Sequence, residues 1–70
     1  RQIRLAASEL DFWVDCTLHS HEGRWLAVAT IGGEPEIGTG ASPFEAAQAA
    51  LALLGSHASR LLLRSMPRTL

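Results

Sequence analysis

Seventy residues, 47% of them hydrophobic and carrying a formal net charge of -1, describe one small domain. At this length only about 60% of the unfolded chain's surface is buried on folding, so stability is marginal without a metal, a disulfide or a partner. The single cysteine, Cys16, excludes an internal disulfide framework, no CxxC or regular His/Cys spacing indicates a metal, and the apolar run at 49–54 is far below the ~18 residues of a membrane span. An intracellular protein, cytoplasmic or nuclear, is therefore expected, with no cofactor, no metal and no membrane association. Arg1 in place of Met is expected of a piece from a longer chain.

The N-terminal stretch "RQIRLAAS" reads as a helix through Ile3, Ala6 or Ala7 and Leu10, or as a strand through Ile3 and Leu5. From Leu10 to Leu18 the even positions Leu10, Phe12, Val14, Cys16 and Leu18 are apolar, while Asp11, Asp15, Thr17 and His19 take odd ones. That alternation predicts a half-buried antiparallel strand with Phe12 and Cys16 in the core. The polar connection His19–Gly23 leads into "RWLAVATIGG", a second strand closing a hairpin. A short third strand is expected at 35–39, with Pro35 suiting an edge and Gly38 and Gly40 letting the backbone turn.

Ser42, Pro43 and Glu45 then form a Ser-x-x-Glu capping box with proline at the first helical position, so a helix starts at Pro43. Beyond it the alanines and leucines of 46–54 leave only Glu45, Gln48, Ser56 and Ser59 as a narrow polar stripe, predicting one long, mostly buried helix. All seven acids fall between Glu9 and Glu45, while Arg60, Arg64 and Arg68 are the only formal charges after it. The arginines complement a helix C-terminus, and the asymmetry also suits head-to-tail docking or an acidic partner.

The run His21-x-x-x-Trp25-x-Ala27-x-Ala29, Gly32-Gly33 and Gly38-x-Gly40-x-Ser42-x-x-x-Ala46-x-x-Ala49-Ala50 resembles the C-terminal two-thirds of a double-stranded RNA-binding domain over about residues 11–55. The resemblance implies one domain over 1–70 with an α-β-β-β-α order: a three-stranded antiparallel sheet, helices on one face, and a short or truncated first helix. It also implies that Trp25, Ala27, Ala29 and Ile31 face the helices, leaving Leu26 and Val28 outward beside Trp13; the opposite register would turn Trp25 out. In RNA-binding members, lysines at the second helix's start grip phosphates. Here Pro43, Phe44 and Ala47 stand in their place and Glu45 adds a negative charge, which removes much of the counterion-release affinity.

The expected function is accordingly a non-catalytic module for protein association, by dimerisation or partner docking, within a larger RNA-binding or RNA-processing protein. Trp13, Leu26 and Val28 are the candidate protein interface, and His21, Arg60 and Arg64 the candidate contacts for weak binding of double-stranded RNA. The same strands, glycine turn and helix also resemble HicB-type antitoxins, which neutralise a small toxin. An enzyme built on Asp15, Cys16, His19, His21 and Glu22 is disfavoured, because alternation sends Cys16 and His19 to opposite faces.

Overall fold

The computed structural model describes residues 1–69. In chain order it comprises β1 (Gln2–Leu5), β2 (Val14–His21), β3 (Arg24–Ile31), β4 (Glu34–Gly40), α1 (Pro43–Ala50), a 3-10 turn (Ala52–Leu54) and α2 (Ser56–Leu63). The strands form one antiparallel sheet in the order β1-β2-β3-β4. The fold is α+β, as expected, but with four strands rather than three and with both helices after the sheet.

The N-terminal segment is a strand, which corrects the first helix implied by the resemblance. Ile3 lies opposite Cys16 and Leu5 opposite Val14, and Arg1 lengthens the ladder by exchanging two backbone hydrogen bonds of 2.7 Å with Leu18. Two turns of helix would pay the nucleation cost for few internal bonds, whereas a strand here satisfies the free edge of β2. The second strand also begins later than alternation predicts, at Val14. With β3 ending at Ile31 and β1 at Leu5, positions before Val14 have no ladder partner. Leu10 therefore closes a turn onto the Ala7 carbonyl at 3.1 Å, and Phe12, expected in the core, is 39% exposed.

Both hairpins are tighter than the predicted loops. Glu22 and Gly23 have φ of 51° and 78°, and Gly32 and Gly33 have 59° and 82°, the positive pairs that two-residue turns need to match strand twist. His21 consequently belongs to the end of β2, opposite Arg24, and not to a loop.

Trp25, Ala27, Ala29 and Ile31 do face the helices: both alanines are fully buried, and Trp25 and Ile31 pack against the core. That core is continuous from Leu5, Val14, Cys16 and Leu18 through the two alanines of β3 to Ala46, Ala47, Ala50, Leu51 and Leu62. Gly38 and Gly40 serve it by their size, not by turning the chain. A methyl carbon on Gly38 would collide with backbone atoms of Ala46 and Ala50 and lie 2.7 Å from the Ala49 carbonyl carbon; on Gly40 it would lie 2.8 Å from the Ala46 nitrogen. Strand β4 and helix α1 thus meet backbone to backbone, through glycine on one side and alanine on the other.

The cap itself forms as expected, the Glu45 amide donating to Ser42 Oγ at 3.1 Å, but the Glu45 carboxylate reaches one residue further back than a capping box requires and accepts from the Ala41 amide at 3.0 Å. The single long helix does not form. Gly55 adopts φ 84°, ending the 3-10 turn and turning the chain into α2. Ser59, expected on a polar stripe, is buried and donates its hydroxyl to the Leu51 carbonyl at 2.9 Å, satisfying an acceptor at the end of α1. Helix α2 then lays Leu62 and Leu63 into the core, and Ser65 Oγ accepts the Ala6 amide at 3.1 Å.

Candidate functional site

Because both helices cover one face of the sheet, the other carries outward-pointing residues with no layer above them. The register sets them in rows: Arg4, Asp15, Thr30 and Pro35; then Gln2, Thr17, Val28 and Ile37; then His19, Leu26 and Thr39. Val28 and Ile37 are direct cross-strand partners, with Leu26 one outward position further along β3. Ile37 is 66% exposed, the most open large hydrophobic side chain of the sheet, and Leu26 is exposed beside it. Sequence reasoning placed Leu26 and Val28 on this face but missed Ile37. The signal was available in the odd-numbered alternation of Pro35, Ile37 and Thr39.

Trp13 lies outside the strand, directly before β2 and four residues before Thr17, the partner of Val28. There it is 57% exposed and stacks beneath the Arg4 guanidinium, 4.7 Å from the ring centroid. Arg4 Nε also donates to Asp15 Oδ1 at 2.9 Å; that hydrogen bond, then the charge of Asp15, raises the arginine's pKa further. Tryptophan, guanidinium and carboxylate close one end of the sheet face as a mutually satisfied group.

The three candidate RNA contacts are not brought together. His21 sits on the last position of β2, its Nε2 3.8 Å from the Glu22 carboxylate, in the hairpin end of the sheet. Arg60 lies in the last turn of α2 and Arg64 caps its C-terminus, one turn further on. There they line a groove of about 470 Å³ between the two helices, floored by Phe44, Ala52 and Leu63. Phe44 and Leu63 also border an adjoining hollow that reaches Trp25, Met66 and Arg68. Among the described residues no acidic side chain lines either hollow, although Glu9 approaches Arg64 at 3.5 Å. This groove escaped the sequence reading because one continuous helix had been expected across Gly55.

Cys16 faces the core at 1% exposure, and burial pushes its thiol pKa up. Asp15 is committed to Arg4, and among the described residues no three His, Cys, Asp or Glu side chains converge on a metal-sized site. In native buffer at neutral pH, Cys16 is expected to resist Ellman's reagent, with labelling in urea following the unfolding curve; prompt labelling of folded protein would contradict its burial. No helix of the described residues is long and apolar enough to cross a membrane. No protein-family model, curated protein or solved structure matches this chain.

Proposed function

We propose that this domain is a non-catalytic protein-association module, and that it self-associates by packing the helix-free face of its sheet against the same face of a second copy. The observation that carries this reading is the contiguous Leu26, Val28 and Ile37 patch in the middle of that face. Its neighbours are mostly uncharged: Thr17, Thr30, Thr39 and Gln2, with the Arg4–Asp15 pair internally neutralised. Sheets stack face to face at about 10 Å with such side chains interdigitated, and a self-complementary patch is what a two-fold axis requires.

Edge pairing is the weaker alternative. The free edge of β4 carries Glu34, Pro35 and Glu36, the charge and missing donor that discourage strand addition. A place within a larger RNA-binding or RNA-processing protein accords with the resemblance to double-stranded RNA-binding domains. The absent lysines at Pro43, Phe44 and Ala47 favour the protein-binding branch of that resemblance, although the N-terminal strand departs from the family's α-β-β-β-α order.

The contact buries these three side chains from each copy, six in all, but Leu26 and Val28 are already partly covered, so each adds well under the about 1.5–3 kcal/mol of full burial against at least ~4 kcal/mol of lost translational and rotational freedom, and the dimer is weak. Sedimentation equilibrium over roughly 1–200 μM should show the mass rise towards that of a dimer. Ile37→Asp, which places a charge at the centre of the contact without touching the core, should hold the protein at monomer mass throughout with an unchanged circular dichroism spectrum. A monomer mass for the unmodified protein across the range, or a dimer insensitive to Ile37→Asp, defeats the reading.

A further inference from the structure

We infer that the groove between α1 and α2 is a second docking site, taking an acidic helical segment of a partner protein that carries large apolar side chains on one face. Three observations point to that occupant. The floor is apolar, with Phe44 48% exposed, Ala52 also exposed, and the largely buried Leu63 beneath them. Its rim carries Arg60 and Arg64, Arg68 borders the adjoining hollow, and among the described residues no carboxylate lines either. The walls are two short helices, and a channel between two helices fits a third whose i and i+4 side chains enter it.

Charge and apolarity together select an acidic peptide over a nucleic acid. A phosphate backbone would meet the arginines but leave Phe44 and Leu63 uncovered, and the acidic cap Glu45 stands next to Phe44 at the start of α1. A peptide with leucines facing in and glutamates flanking them uses both features. Arg60 forms no ion pair among the described residues, while Arg64 is held only by the long 3.5 Å contact to Glu9. Glu9 is therefore an internal competitor for the partner's carboxylate. Arg60 in α2 and Arg64 at its C-cap, whose backbone is still helical, stand one turn apart, so carboxylates at the same spacing on an antiparallel helix face them in register. The groove lies on the opposite side of the sheet from the Leu26, Val28 and Ile37 patch, so the inference does not depend on self-association.

The test is fluorescence anisotropy with the 70-residue domain and labelled synthetic helical peptides of about twelve residues. One carries leucine on one face and glutamate on the flanks, one replaces every glutamate by lysine, and one replaces every leucine by serine. The glutamate–leucine peptide should bind at least about tenfold more tightly than either of the others. Arg60→Glu and Phe44→Ala, both at exposed positions, should each weaken it roughly tenfold, while Glu9→Gln should tighten it about two- to fivefold by releasing Arg64. Ile37→Asp should leave it unchanged, which keeps this result separate from the mass measurements. Absence of saturable binding, equal binding of the lysine peptide, indifference to Arg60→Glu, or displacement by duplex RNA at lower concentration than by unlabelled peptide would each overturn the inference.

Discussion

Gly38→Ala is expected to cost about 3 kcal/mol or more, enough to leave a substantial fraction of the domain unfolded at room temperature. The added methyl meets backbone atoms of Ala46, Ala49 and Ala50, which cannot rotate away as a side chain would. Relief requires α1 to lift from β4, opening the packing of Ala46, Ala47 and Ala50 on Ala27 and Ala29 at the centre of the core. A domain of this size has only roughly 0.05–0.15 kcal/mol of stability per residue to lose. Urea unfolding followed by tryptophan fluorescence measures the change. Gly33→Ala supplies the contrast: its Cβ meets nothing within 4 Å, and only the positive φ of 82° penalises it, by about 1 kcal/mol. Equal stabilities for Gly38→Ala and the unmodified protein would mean that helix and strand do not approach backbone to backbone.

Leu62→Ala is the second substitution with a large expected effect, about 2–5 kcal/mol of destabilisation. Leu62 is the most deeply buried residue of α2, flanked by the buried Leu61 and Leu63, and the helix is further tied by Ser59 to the Leu51 carbonyl and by Ser65 to the Ala6 amide. The cavity left at Leu62 lies beneath a helix of only eight residues, so the helix should detach before the sheet melts. Hydrogen exchange should show the amides of α2 losing protection while those of β2 and β3 keep theirs. Phe12→Ala, by contrast, should change stability by less than about 1 kcal/mol, since the ring is already partly in water. Were Phe12→Ala the more damaging of the two, the connection between β1 and β2 would have to pack inward.

Much of the architecture was legible because it is encoded locally. The alternation of Val14, Cys16 and Leu18, the paired glycines after Ile31, and Ser42, Pro43 and Glu45 at the head of α1 each specify a conformation within a few residues. Gly55 was a readable signal of the same kind, a glycine directly after a leucine run, and its left-handed φ divides what periodicity alone made one helix. The face assignment of Trp25, Ala27 and Ala29 came from the family pattern, and the structure agrees with it.

Other features depend on partners distant in the chain. "RQIR" is compatible with either helix or strand, and it becomes a strand because β2 offers it an open edge. Phe12 continues the alternation of β2 but leaves the sheet because the neighbouring strands stop at Leu5 and Ile31. Trp13 has the right parity for the outer face but lies outside the strand, four residues before Thr17, the partner of Val28; parity gives the side of a sheet and only register gives position along it. The helix groove likewise needs α2 folded back against α1 before Phe44, Leu63 and the arginines are neighbours. Local spacing, by itself, determined the hairpins and the capped helix, because those preferences are set within a turn or a strand. Tertiary contact decided the fourth strand, the break between the helices and the composition of both surfaces, because an open edge, a shared core and a groove exist only once separate segments meet.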